Sequence, residues 1–242
     1  MIFTKGDLLY EGKAKKIFRV NESQNLVWQE FKDSFTAFNG EKKATMQGKG
    51  KLNCQIATHI FKLLASKDVP SHFIESPSEN EMVTTRLEMI DLEVVVRNIL
   101  AGSTAKKFQI EEGTPLEQPL VEFYYKKDEL NDPFISDAQA LMLKTVRKDQ
   151  DLQILKSLAL QVNDVLKKMF SQAGIDLVDF KIEFGYSQEG EILLGDEISP
   201  DSCRLWDQKT KEKMDKDRFR RDLGSVLEMY EEVFNRLTKK DV

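Results

Sequence analysis

Residues 176–200 read DLVDFKIEFGYSQEGEILLGDEISP, from Asp176 to Pro200. Val178, Phe180, Ile182 and Phe184 alternate with Asp179, Lys181, Glu183 and Gly185, the two-residue period of a strand with one apolar face. Ser187-Gln188-Glu189-Gly190 predicts a turn and residues 191–198 a second strand, which makes the stretch a hairpin. With a four-residue loop, Lys181 is expected opposite Asp196, and Glu183 diagonal to that aspartate. Asp179, Lys181, Glu183 and Asp196 then share one face, where Ile192, Leu194 and Ile198 shield them from water. The simplest role for such a face is cross-strand charge pairing, at ~0.2–1 kcal/mol per pair. Two carboxylates beside a lysine are also a ligand set for a hard cation such as Mg²⁺ carrying nucleotide phosphates, so metal-assisted phosphoryl chemistry is a second expectation.

Composition narrows the remaining classes. The chain has 242 residues, enough for one large domain or two small ones, and its 40% hydrophobic content supports a sizeable core. No apolar run approaches the roughly 20 residues of a membrane span, and the N-terminus lacks the pattern of a signal peptide, so a cytoplasmic protein is expected. A net charge of -5 argues against general nucleic-acid binding. Two cysteines, Cys54 and Cys203, make no disulfide framework or zinc motif, and two histidines, His59 and His72, leave little for a Ser-His-Asp mechanism. Carboxylates, lysines and arginines must carry any chemistry.

Along the chain, residues 8–18 predict two extended segments meeting at Gly12, with Lys13, Lys15 and Lys16 beside it, and 26–31 a further strand. Those lysines either blunt an edge strand or lie over phosphates; no Walker-type loop is present. Residues 33–51 predict a long loop. Leu52, Ile56, Ile60, Leu63 and Leu64 mark a helix ending near Asp68, ahead of Pro70. Strands are expected at 72–75, 81–87, 92–100 and 120–125, with 88–91 a connector between a smaller N-terminal unit and the rest. Arg97 ends a buried-strand pattern, and a helix is expected to start at Ser103. Arg97 therefore either binds a phosphate or pairs with a core carboxylate. Ser136 predicts a cap for a short helix to Leu143, and 150–172 a long helix closed by Gly174. Residues 200–207 predict a loop, 209–217 a charged segment of helical character, and 219–237 an amphipathic helix.

Several of these motifs, in order, resemble those of the SAICAR synthetase (phosphoribosylaminoimidazole-succinocarboxamide synthase) family. They are Tyr10-Glu11-Gly12-Lys13-Ala14-Lys15, Glu93-Val94-Val95-Val96-Arg97-Asn98 with Ala101-Gly102-Ser103, residues 177–185, Gly195-Asp196-Glu197, residues 201–207, and Met214 to Arg220. The resemblance implies an α+β fold distantly similar to protein kinases, with an antiparallel β domain over ATP at 1–88. A larger α+β domain at 89–242 would hold the metal hairpin, the ribonucleotide site and the C-terminal helix. It implies an ATP-dependent ligase of purine biosynthesis that joins L-aspartate to the carboxylate of carboxyaminoimidazole ribonucleotide, commonly as a homodimer.

Carried over by position, Gly12, Lys13, Ala14 and Lys15 would cover the ATP phosphates, with Arg86 and Met89 beside the adenine. Glu183 and Asp196 would hold Mg²⁺, and with Lys181 they form the implied catalytic set, Asp179 lying adjacent. Arg97, Ser103 and Arg204 would take the ribonucleotide phosphate, Asp132 would contact the ribonucleotide, and Lys216 and Asp33 would lie near substrate. Asn131 stands where the family often has histidine, and Thr85-Arg86 where it often has a basic pair. On the residues alone, a kinase-like phosphotransferase and a non-catalytic nucleotide-binding module are the alternatives.

Overall fold

The computed structural model describes residues 2–37 and 40–239. From the N-terminus, β1 (Lys5–Glu11), β2 (Lys15–Val20) and β3 (Ser23–Phe31) are followed by the hairpin β4 (Ser34–Ala37) and β5 (Lys42–Thr45), then helix α1 (Lys49–Ala65). With β6 (Phe73–Ser78) and β7 (Glu81–Thr85), the first three strands form a five-stranded antiparallel sheet in the order β1–β2–β3–β7–β6. Helix α1 packs its buried stripe, Ile56, Ile60, Phe61 and Leu64, against this sheet.

The remainder runs β8 (Glu88–Ile99), α2 (Gly102–Phe108), β9 (Pro115–Tyr125), β10 (Phe134–Ile135), α3 (Asp137–Met142), α4 (Asp151–Gln172), β11 (Ile175–Tyr186), β12 (Ile192–Gly195), β13 (Cys203–Asp207), α5 (Asp217–Arg220) and α6 (Val226–Thr238). Its sheet has the order β10–β9–β8–β11–β12. β13 pairs with the first half of β11, while β12 pairs with its second half. β11 is therefore central. Phe180, Ile182 and Phe184 project into a core shared with Leu92, Val94 and Val96 of β8 and with Leu155, Ala159, Val162 and Leu166 of α4. Burying each such side chain contributes on the order of 1.5–3 kcal/mol. With α4 covering one face, the other face of β8 and β11 carries the polar residues. The fold is thus mixed α+β with antiparallel sheets, as expected.

Several local expectations change. Tyr186 pairs with Ile192 and Glu183 with Gly195, so the hairpin loop has five residues, not four. Ser187 closes it: its N–H donates to Glu191 O at 2.8 Å, and its Oγ accepts from the N–H groups of Glu189 and Glu191. This one-residue slip reverses the facing of the second strand. Leu194 lies opposite Phe184, and Leu194 and Ile198 belong to the core instead of shielding the charges. Asp196 sits past the last paired residue in a left-handed conformation (φ 56°) and faces Lys181 across no ladder. A bulge near Val178 breaks the apolar alternation, and Val178 packs with Ala101 and Trp206.

Residues 88–91 are the start of β8, which leaves only Arg86 and Leu87 between β7 and β8. The expected loop at 33–51 contains the β4–β5 hairpin and the first turn of α1; its Phe38 and Asn39 lie outside the described residues. Residues 203–207 form a strand because β11 offers its free edge there. The C-terminal helix begins only at Val226, since Asp222, Gly224 and Ser225 all take positive φ. No helix among the described residues is long and apolar enough to cross a membrane.

Candidate active site

The polar face of the large sheet is ordered by strand register. Asp179 lies opposite Arg97 on β8 and Arg204 on β13, and Glu183 lies opposite Glu93. On β9, Glu122 faces Val95 and Tyr124 faces Glu93. Arg97 Nε donates to Glu122 Oε2 at 2.6 Å, its Nη1 to Asp179 Oδ2 at 2.7 Å and its Nη2 to Tyr124 OH at 3.2 Å. Arg204 Nη1 donates to the same Asp179 oxygen at 2.8 Å and its Nε to Asp217 Oδ2 at 3.1 Å. Burial opposes the charge on both guanidiniums, yet Asp179 with Glu122 or Asp217 more than offsets it and raises their pKa. Of the two roles open for Arg97, carboxylate pairing is the one realised here. Both arginines, with Ser103, also border a cleft of about 220 Å³.

At the other end of the row, Lys181 Nζ donates to Glu93 Oε1 at 2.7 Å and to Glu183 Oε1 at 2.9 Å. Lys126 pairs with the second oxygen of Glu183, which is 3% exposed. Lys15 reaches from β2 across to Asp196 and lies 3.4 Å from Glu197 Oε2. Burial disfavours both charges, but Lys15 and Lys181 hold Asp196 well below the usual carboxylate range, and Asp196 with Glu197 holds Lys15 above the usual lysine range. Lys126 and Lys181 act on Asp196 as well as on Glu183, so the two carboxylates share one cationic surround. Glu197 Oε2 is buried and accepts no hydrogen bond.

Among the described residues, no three His, Cys, Asp or Glu side chains gather as a metal cluster. A pair of hard oxygen donors nevertheless fits Mg²⁺, which binds through one or two carboxylates and takes its other ligands from phosphates and water.

The β1–β2 turn stands over this end. Gly12 N donates to Lys15 O at 2.8 Å, Ser34 Oγ to Lys13 O at 2.6 Å, and Lys13 pairs with Asp128 at 2.7 Å. The turn therefore bridges to the loop after β9. Leu87 and Met89 cross close to β11 and β12. A Cβ on Gly185 would lie 2.7 Å from Leu87 Cβ, and one on Gly195 would lie 3.3 Å from Met89 Cε. Glycine at both positions lets the β7–β8 crossing sit against the hairpin. Arg86 is exposed there, with its N–H bonded to Asn25 O at 2.7 Å.

Other expected residues lie apart from this row. Asp132 Oδ1 accepts from Lys127 N at 2.8 Å and shapes its own turn; Asp33 Oδ1 accepts from Gly50 N at 2.9 Å and caps α1. Lys216 is half-buried beside residues 200–201. Glu93, Glu122, Tyr124, Lys126 and Arg220 had no assigned role in the sequence. The i, i+2 spacing of Glu122 and Tyr124 was a signal, but only the β8–β9 register puts them against Arg97.

The SAICAR synthetase family model matches residues 8–237. The chain is 54% identical to phosphoribosylaminoimidazole-succinocarboxamide synthase of Halalkalibacterium halodurans, over 98% of this chain and 99% of that protein. It is 52% identical to the enzyme of that name from Bacillus subtilis, over 98% of each. The crystal structure of that synthase from Ehrlichia chaffeensis superimposes with a TM-score of 0.93 at 43% identity, covering 98% of this chain and 100% of that one. A SAICAR synthetase solved in complex with ADP gives 0.91 at 45% identity, covering 96% and 98%. The chain belongs to the SAICAR synthetase family.

Proposed function

We propose that this chain is the ATP-dependent ligase that joins the amine of L-aspartate to the carboxylate of carboxyaminoimidazole ribonucleotide, releasing ADP and phosphate in purine biosynthesis. The observation that carries this reading is one polar row with a phosphate-competent end at Arg97, Ser103 and Arg204 and a lysine–carboxylate end at Lys181, Glu183 and Asp196. Asp179 and Glu183 are four residues apart, roughly 13 Å at ~3.3 Å per residue, the scale of a small ribonucleotide. The arginine pair anchors the 5′-phosphate, with Asp132 a further ribonucleotide contact. That anchoring uses remote binding energy to hold the reacting carboxylate at the Lys181 end. Arg220, on the same cleft, joins the residues that face substrate.

The small sheet covers ATP in the manner of a protein kinase: 1–88 serve as the lid domain and 89–242 as the body. Gly12, Lys13, Ala14 and Lys15 lie over the phosphates, and Arg86 and Met89 flank the adenine. Glu183 and Asp196 would hold Mg²⁺, which when bound neutralises charge on the transferring phosphoryl group. Lys15, released from Asp196, is free to meet ATP oxygens. A carboxylate cannot expel oxide, so its oxygen takes the γ-phosphoryl group of ATP, releasing ADP. The amine then forms the C–N bond as phosphate leaves with its electron pair and the amine loses a proton. Glu183 and Glu93 outweigh the effect of burial on Lys181 and raise its pKa. The working unit is a cytoplasmic homodimer acting on small molecules. An ADP-release assay omitting each substrate in turn tests the reading: turnover must need both the imidazole carboxylate and aspartate. ADP release without aspartate at the full rate would make the protein a phosphotransferase instead.

A further inference from the structure

Lys15 stands between two carboxylates that are consecutive in the chain. Its ammonium pairs with Asp196 Oδ1 and lies 3.4 Å from Glu197 Oε2, with the centroid of the Phe31 ring 5.1 Å away. Consecutive side chains of an extended strand point to opposite faces. The left-handed backbone of Asp196 (φ 56°) lets this pair meet one ammonium instead.

The two carboxylates have different surroundings. The Asp196 side chain is 32% exposed, and that of Glu197 only 7%. The turn after β12 pins Glu197 in place. Ser202 Oγ donates to its backbone O at 3.2 Å, Ser199 Oγ donates to its Oε1 at 3.4 Å, and Ser199 N donates to Ser202 Oγ at 3.1 Å. Its other oxygen, Oε2, faces Lys15 and accepts no hydrogen bond from any described residue. Burial pushes the Glu197 pKa up, Lys15 pulls it down and Asp196 pushes it up again. A divalent cation on Asp196 removes that last opposition. Lys15 is itself 8% exposed, and a buried ammonium stripped of its counter-ion is costly. When the accessible carboxylate turns to a metal, the withdrawn one is the partner that remains. An ammonium has three donors, so one bond to Glu197 leaves two for phosphate oxygens.

We propose that Glu197 is a positioning residue, the fixed counter-ion that keeps the Lys15 ammonium aimed at the nucleotide phosphates while Asp196 serves the metal. This deepens the assignment of Lys15 and Asp196 made under Proposed function and rests on it. Glu197 acts only through Lys15. It touches neither nucleotide nor metal, and its influence ends where Lys15 is removed.

The test uses the full-length enzyme as wild type, Glu197→Gln, Glu197→Asp, Lys15→Met and the double variant Lys15→Met/Glu197→Gln. Thermal unfolding is followed without ligand and with ADP over a range of Mg²⁺, and KM is measured for ATP, ribonucleotide and L-aspartate. In Glu197→Gln the amide can turn its oxygen to Lys15 and its N–H to Ser199 Oγ, so the ligand-free Tm should stay within about 2 °C of wild type. KM for ATP should rise about ten- to hundredfold, the worth of a hydrogen bond to a charged group, with the other two KM values changed by less than about twofold. The Tm gain from saturating ADP and Mg²⁺ should shrink, with the Mg²⁺ concentration giving half the gain unchanged. Glu197→Asp should recover part of the loss. In the Lys15→Met background, Glu197→Gln should add less than about twofold, which neither a structural role nor direct metal binding would produce. Unchanged ATP KM in Glu197→Gln, a loss shared equally by all three substrates, a raised Mg²⁺ requirement, or a full further loss in the double variant overturns the proposal. If Glu197→Gln does not fold, Glu197→Asp alone and on Lys15→Met makes the same comparison. Lys15→Met separates the two assignments: if it leaves ATP KM unchanged, the placement of the β1–β2 turn over ATP fails as well.

Discussion

Asp179→Asn perturbs the site at its most connected atom. The Asp179 carboxylate is 4% exposed, and one oxygen lies 2.7 Å from Arg97 Nη1 and 2.8 Å from Arg204 Nη1. Removing one partner of a buried pair costs about 3–5 kcal/mol, because the remaining charge is left uncompensated. Here each arginine keeps a second carboxylate, Glu122 at 2.6 Å and Asp217 at 3.1 Å, so the low end applies. About 3 kcal/mol in a chain of this size lowers Tm by about 6–12 °C. Thermal unfolding followed by circular dichroism measures it directly. Inorganic phosphate should raise the Tm of the variant more than that of wild type, since an added anion replaces the lost charge and stabilises by mass action. A variant that melts within about 1 °C of wild type, or that gains no more from phosphate than wild type does, would refute the view that Asp179 is the counter-ion of both arginines.

Glu183→Gln and Asp196→Asn should abolish turnover with far-UV circular dichroism unchanged; normal activity in either removes that residue from the metal assignment. Gly185→Ala should destabilise the fold by about 1–3 kcal/mol, because its Cβ would sit 2.9 Å from Glu88 O, which is backbone and cannot swing away. ATP binding, followed by calorimetry, should weaken with it as Leu87 and Met89 are displaced. Asp215 is buried, near Asp217, and its pKa is pushed up to about 7 from 3.8. Its folded-state pKa is raised, so the native state holds a proton that the unfolded chain has lost, and this contribution to stability declines as pH rises between those values. Urea unfolding across that window should show a flatter pH slope in Asp215→Asn than in wild type, whatever the offset; identical slopes would discount the shift.

Much of the fold was legible in local pattern. The stripe of α4, the helix cap at Ser136 and the turn at Gly12 depend on residues within a few positions of each other, and each of these three formed within a few residues of its expected bounds. Failures came where a partner decided the outcome. Residues 203–207 become a strand because the edge of β11 is free, and residues 88–91 become part of β8 because β11 extends to pair with them. The site residues divide in the same way. Lys181, Glu183 and Asp196 were visible as chemistry-bearing side chains, but Glu122, Tyr124 and Lys126 reach Arg97 and Glu183 only through the sheet.

For residues 176–200, the sequence by itself determined the hairpin, the apolar face carried by Phe180, Ile182 and Phe184, and the charges opposite. Alternation is a property of one strand, and burial of its apolar face leaves no other choice. Register was decided only by the tertiary structure. A fifth loop residue, closed on Ser187, turns Leu194 into the core and carries Asp196 past the ladder in a left-handed turn, where Lys15 reaches it from the other sheet. A slip of one residue moves every following side chain to the opposite face, and no local preference in the chain distinguishes the two registers.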